Sequence, residues 1–95
     1  MEVGIVVGRV TATRKDPHLV GTKLLLAQPI QLNGEASPSS PVIAIDTVGA
    51  GIGEKVILVS GSVAARVTSN KDAPVDAAII GIIDTLEYEK IEGVY

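Results

Sequence analysis

The chain has 95 residues and a formal charge of −3, with one histidine, two tyrosines, and no cysteine, tryptophan or phenylalanine. That length makes one domain, residues 1–95, with room for one modest core. Disulfides, thiolate metal sites, cysteine nucleophiles and a multi-histidine centre within one chain are excluded. So are a basic footprint for phosphate backbones and an aromatic platform on a barrel face for single strands, because both tyrosines, Tyr88 and Tyr95, lie in the last eight residues.

Valine and isoleucine supply 24 of the 95 residues. Both are β-branched and suit pleated surfaces, and the dispersed glycines and prolines read as turns of an all-β domain. The first expected strand runs over 3–13, where Val3, Ile5 and Val7 alternate with Gly4, Val6 and Gly8. Glycines inside a strand mark a bend or a close backbone approach. A polar loop follows over 14–21, with Asp16-Pro17 as its turn signal. The second strand is expected over 22–32, with an edge or bulge near Pro29. Asn33-Gly34 is a turn signal, and the Ser/Pro-rich stretch to Pro41 reads as loop. Short strands are expected over 42–46 and 55–60, separated by the glycine-rich segment 48–54. Ser60 or Ser62 is placed to cap a short helical turn through Ala64, Ala65 and Arg66. A polar loop over 68–74 leads to the last main strand within 75–84, and 85–95 is a charged tail, read as a short extra strand or a helical turn. Five main strands without an internal repeat fit a closed five-stranded barrel, since closure removes exposed edges.

Mean hydropathy is high for so small a chain. No apolar run reaches the ~18 residues of a membrane span, and Met1-Glu2-Val3-Gly4 lacks the basic segment of a signal peptide. The apolar excess therefore points to other subunits. The mass scaling gives a folded surface of roughly 5,200 Å². Two standard patches of about 800 Å² each would bury about 30% of it in a ring.

Gly49-Ala50-Gly51-Ile52-Gly53 directly follows a strand, as a dinucleotide-binding loop does. That chemistry needs a helix next, with its N-terminus at the pyrophosphate. Here Lys55-Val56-Ile57-Leu58-Val59 reads as a strand, so the glycines are expected where backbones crowd. Asp46 and Glu54 flank the loop, and Asp76 and Asp84 bracket the last strand. As paired carboxylates they suit acid–base work, and as turn residues they suit capping and solvated strand ends. His18 reads as an exposed loop histidine. Two readings stand for Arg66: a guanidinium fork to a neighbouring subunit's carboxylate, or a solvated helix end.

The order of these segments resembles the EutN/CcmL family of bacterial microcompartment vertex proteins over residues 3–86. The matching residues are Val7-Gly8 with Thr11, Leu19, Gly21, Lys23-Leu24-Leu25 and Val42-Ile43-Ala44-Ile45-Asp46. They continue with Val48-Gly49-Ala50-Gly51, Gly53-Glu54, Val56, Gly61-Ser62 and Pro74-Val75-Asp76, the last leading into Ile80-Gly81-Ile82-Ile83-Asp84. The resemblance implies a small OB-like β-barrel with a short helical element, assembled as a homopentamer. It also implies a structural role at the fivefold vertices of a polyhedral shell in the bacterial cytoplasm, of carboxysome or metabolosome type. Hexameric and trimeric shell proteins are the implied partners, with no cofactor, metal, catalysis, nucleic acid or membrane. Two departures stand out: Lys55 replaces the aromatic that often follows the Gly-Glu pair, and Arg66 lies one residue later than in the family's Gly-Ser-x-Ala-Arg pattern.

From this resemblance, residues 49–53 are expected near the ring axis, and Asp46, Glu54 and Arg66 at subunit interfaces. Two other classes compete with the shell tile. One is an OB-like binding module for nucleic acid or a small ligand, which the missing aromatics and acidic charge oppose. The other is an oligomeric enzyme using Asp46, Glu54 or Asp84 between subunits.

Overall fold

The computed structural model describes residues 1–13, 15–68 and 74–95. Five strands, β1 (Glu2–Val10), β2 (Leu24–Pro29), β3 (Val42–Asp46), β4 (Lys55–Ser60) and β5 (Ala77–Ile82), close into a barrel in the order β1-β2-β3-β5-β4. Neighbours are antiparallel except β3 and β5, which run parallel and pair at Ile45↔Ala78 and Asp46↔Ile79. The other end of β3, Val42–Ala44, has no partner on β5, although Ala44 and Ala77 are buried there in the interior.

β3 and β4 have the bounds expected from sequence, and the other strands are shorter. The β1–β2 ladder ends at Val10↔Leu24, leaving 11–13 and 22–23 in the connection. That connection holds a single 3₁₀ turn, Pro17–Leu19, with Asp16 as its cap. β2 stops at Pro29, which pairs opposite Gly4. The expected edge lies there: β2 pairs with β3 only as far as Ala27↔Val42, so Pro29 has a strand partner on the β1 side alone, while the irregularity of this ladder lies in β1 between Val6 and Gly8. Beyond β2 the chain makes one bridge, Ile30↔Ala36, around a tight turn with Gly34 at φ +88°. A 3₁₀ helix, Gly61–Val67, occupies the expected helical turn, but Ser60 caps it without a side-chain hydrogen bond. Of the expected polar loop over 68–74, residues 69–73 lie outside the described residues.

Two apolar clusters result. The barrel interior holds Val6, Leu25, Ala27, Ala44, Val56, Leu58 and Ile79 with Ala50 and Ala77. A second cluster on the outer face of β3, β4 and β5 joins Ile45, Val59 and Ala78 to Ala64 of the 3₁₀ helix. Both faces of β5 are thus covered, which explains why it reads as an unbroken apolar run. On β1 the smaller face points inward: Gly4 and Val6 are buried, while Val7 is 46% exposed. A Cβ on Gly4 would sit 2.5 Å from Leu58 Cδ1 and 3.2 Å from the Gln28 carbonyl oxygen, so the interior has no room for it.

Candidate assembly site: the glycine loop and the outer apolar surface

The loop between β3 and β4 is built around one carboxylate. Asp46, the last residue of β3, turns its side chain into its own loop, where it is 1% exposed. Its Oδ1 accepts from the backbone N–H groups of Val48 (3.1 Å) and Gly49 (3.2 Å), and its Oδ2 from Ala50 (2.9 Å). Lys23, just before β2, sends its Nζ to the Ala50 carbonyl at 2.8 Å and lies 3.4 Å from Asp46 Oδ2. Successive N–H groups converging on a carboxylate satisfy donors that a short loop cannot pair otherwise.

Both ends of the loop are tied down. The Thr47 hydroxyl donates to the Ile79 carbonyl at 2.7 Å. Gly53 N–H donates to Val6 O, and Val6 N–H donates to Glu54 O. Glu54 Oε1 accepts from Gly51 N–H at 2.7 Å. Gly49 and Gly53 have φ of +79° and +90°, a region that a Cβ disfavours. Ala50 is the buried peg of the loop, whereas Val48 and Ile52 are exposed at 40% and 53%. The loop is a fixed scaffold that presents two aliphatic side chains outward. A strand follows it, so it lacks the helix N-terminus of a dinucleotide site.

The other candidates lie apart. Arg66 is in the last turn of the 3₁₀ helix, exposed, with no hydrogen-bond or ion-pair partner among the described residues. Val63 and Val67 are exposed beside it in sequence. Asp76 and Asp84, at opposite ends of β5, are exposed and form no carboxylate pair with Asp46. His18 donates its backbone N–H to Asp16 Oδ1 at 2.8 Å, and its Nδ1 lies 2.8 Å from the same oxygen. The backbone bond chiefly, then the side-chain one, hold the Asp16 carboxyl below its ordinary value of 3.8. No group of three or more acidic or imidazole side chains is placed to hold a metal ion among the described residues.

Sequence reasoning missed Lys23 and Thr47. Their partners, Ala50 and Ile79, are 27 and 32 residues away, and no local spacing marks such contacts. The isolated chain exposes 6251 Å², roughly 1,000 Å² more than a globular monomer of this mass. Exposed large apolar side chains are spread over β1, β3, the glycine loop, the 3₁₀ helix and the C-terminal tail.

A family model described as "Ethanolamine utilisation protein EutN/carboxysome" matches residues 1–84. This chain belongs to the EutN/CcmL family. Among its relatives is the bacterial microcompartment shell vertex protein PduN of Salmonella typhimurium strain LT2. It is 46% identical over 89 residues, covering 90% of this chain and 98% of that protein. The solved structure of Gloeobacter violaceus CcmL superposes with a TM-score of 0.86 at 43% identity, covering 94% of this chain and 91% of that one. The GrpN pentameric microcompartment shell protein from Rhodospirillum rubrum gives 0.84 at 39% identity, covering 94% and 100%. These EutN/CcmL relatives carry structural names, and the barrel described above is their fold.

Proposed function

We propose that this chain is a structural vertex protein of a bacterial microcompartment shell: a homopentamer that caps the fivefold corners and thereby gives the shell its curvature. The observation that carries this reading is the shared closed barrel, superposing on a pentameric shell protein at a TM-score of 0.84 over all of that chain. A sheet of sixfold tiles alone cannot close, whereas a heterologous interface that closes at five copies supplies the missing curvature. The excess exposed area and the scattered exposed aliphatic side chains supply what such an interface buries. The protein acts in the shell, within the bacterial cytoplasm, and its role is assembly, not catalysis.

Within that reading, residues Gly49, Ala50, Gly51, Ile52 and Gly53 lie near the fivefold axis, where small residues let five backbones crowd. Glu54 and Arg66 face neighbouring subunits, and Arg66 is the exposed cation available to a neighbour's carboxylate. Asp46 serves the interface from behind, because its carboxylate is spent on shaping the loop. The outer rim meets hexameric and trimeric shell tiles.

Native mass spectrometry tests the assembly. Five copies of the 9.8 kDa chain, about 49 kDa, are expected. A stable monomer would overturn the ring, and six copies would remove the curvature argument. Ile52→Glu tests the axis placement: converging charges should break the pentamer while the barrel stays folded. An intact pentamer of this variant would place the loop away from the axis.

A further inference from the structure

We propose that the C-terminal tail, residues 85–95, is an intersubunit strap that docks in an apolar groove on the neighbouring copy of this chain. The proposal rests on the pentamer reading but adds a contact that the family match, which ends at residue 84, does not cover. Every residue from Asp84 to Tyr95 is exposed. The last backbone bond that ties this end of the chain to the barrel, among the described residues, is Ile83 N–H to Lys55 O at 2.8 Å. Beyond it the tail bonds to itself, in a turn closed by Tyr95 N–H to Ile91 O at 2.8 Å, with Gly93 at φ +82°. Tyr88 and Tyr95 pack edge to face, ring centroids 5.5 Å apart. The chain's two aromatic side chains therefore form a preshaped knob, near Leu86, Ile91 and Val94 in sequence, with Tyr88 and Tyr95 still 44% and 43% exposed.

The groove lies on the outer face, beside the end of β3 that has no partner on β5. It measures about 340 Å³ and is lined by Val10, Leu19, Leu24, Ile43 and Val75, with Lys15 and Asp76 among its polar residues. A second depression shares Val10, Ala12, Lys15 and Leu24 with it and adds Arg9 and Lys23, with no acidic residue in its lining. The groove itself thus holds one cation and one anion among apolar side chains, and the adjoining depression adds the Arg9 guanidinium, Lys23 being engaged by Ala50 and Asp46. The tail offers the complement: Leu86, Tyr88 and Ile91 interspersed with Glu87, Glu89 and Glu92 against the single Lys90.

Geometry favours a second copy over the chain's own groove. The groove borders Ala77, the first residue of β5, whereas the tail departs beyond Ile82, its last. Five residue steps of ~3.3 Å separate those points by about 17 Å, and no tail residue lines the groove of its own chain. Donor knob and acceptor groove at opposite ends of one subunit make a head-to-tail contact, the kind that a closed ring requires.

The chain lacks cysteine, so Tyr88→Cys combined with Ile43→Cys gives one defined pair of thiols. The double variant is joined with a short bis-maleimide after its native mass is recorded. A covalent ladder of copies on a denaturing gel is expected, with neither single variant giving it. A linked species of monomer mass means the tail folds back on its own groove and overturns the proposal. Five copies by native mass with no link also overturns it, and leaves the pentamer reading intact. A non-pentameric native mass sinks that reading separately, while the ladder still reports whether tail and groove of different copies meet. As a second readout, a chain ending at Asp84 should raise the protomer concentration for half-dissociation at least tenfold. Lys15→Glu should raise it too, and Glu87→Lys with Glu89→Lys should restore it. Truncation that leaves dissociation unchanged would refute the strap.

Discussion

Replacing Asp46 with asparagine keeps the size of the side chain but removes its charge and one of its two acceptor oxygens. In the native loop, Oδ1 serves Val48 and Gly49, and Oδ2 serves Ala50 with Lys23 close by. An amide nitrogen introduced at the Oδ2 position would face the Ala50 N–H and the Lys23 ammonium, which are both donors. The flipped amide would instead face two backbone N–H groups. A hydrogen bond to a charged acceptor contributes about 1.5–3 kcal/mol, and a buried unpaired donor costs about 1–3 kcal/mol. These overlap, so a net loss of about 3 kcal/mol is expected. For a chain of this size that lowers Tm by on the order of 10–20 °C.

Lys23→Met is the control. Its ion pair to Asp46 is 3.4 Å long and its side chain 49% exposed, so that pair contributes only about 0–1 kcal/mol, and the substitution also removes the 2.8 Å bond to the Ala50 carbonyl, worth about 1.5 kcal/mol. Thermal unfolding of both variants is followed by circular dichroism at one fixed protomer concentration, because assembly shifts apparent stability. The reasoning fails if Asp46→Asn moves Tm by less than about 3 °C. That result would mean that the backbone N–H groups do not depend on the carboxylate.

Gly4→Ala should destabilise by about 1–3 kcal/mol through overpacking, since the new Cβ meets Leu58 Cδ1 at 2.5 Å. Leu58→Val in the same chain should recover part of that loss in a double-mutant cycle, and simple additivity would contradict the contact. Gly49→Ala and Gly53→Ala should each cost about 1–2 kcal/mol because their φ values are positive, and Gly51→Ala less, by urea denaturation. Asp16 has its carboxyl lowered mainly by the backbone N–H of His18. A depressed folded value adds stability above the unfolded aspartate range, which is lost as pH falls through the folded value, so neutral-pH stability should not change with pH on its account. Carboxyl NMR titration of His18→Ala should show most of the lowering retained, and a return to 3.8 would assign it to the imidazole instead.

Much of the barrel was legible because its local signals agree. The short apolar runs at 42–46 and 55–60 are bounded by Pro41, the glycine loop and Gly61, and they became β3 and β4 without adjustment. β1, β2 and β5 read too long from sequence because β-branched and polar residues continue past the last cross-strand partner. A ladder ends where its neighbour ends, and 11–13 has none. Asp46 and Glu54 were legible as turn residues, but the loop's glycines read as a close approach, and in the single chain a Cβ on Gly49 or Gly53 would meet nothing within 4 Å: positive φ is what calls for glycine there. That Asp46 closes the loop from inside, with Lys23 across it, depends on the fold bringing residue 23 to residue 50.

The sequence by itself determined the class of the protein: β-branched runs cut by glycine and proline, no nucleophile or metal set, and an apolar content that one small core cannot absorb. Tertiary structure alone decided which face of β1 turns inward. Period-two alternation defines two faces without ranking them, and the narrow interior beside Leu58 accepts Gly4 and Val6. It also decided that β3 and β5 meet over two residues and then part, because strand pairing is settled between segments more than 30 residues apart. The groove beside Ile43 lies at that end of β3, and the sequence around Ile43 carries no trace of it.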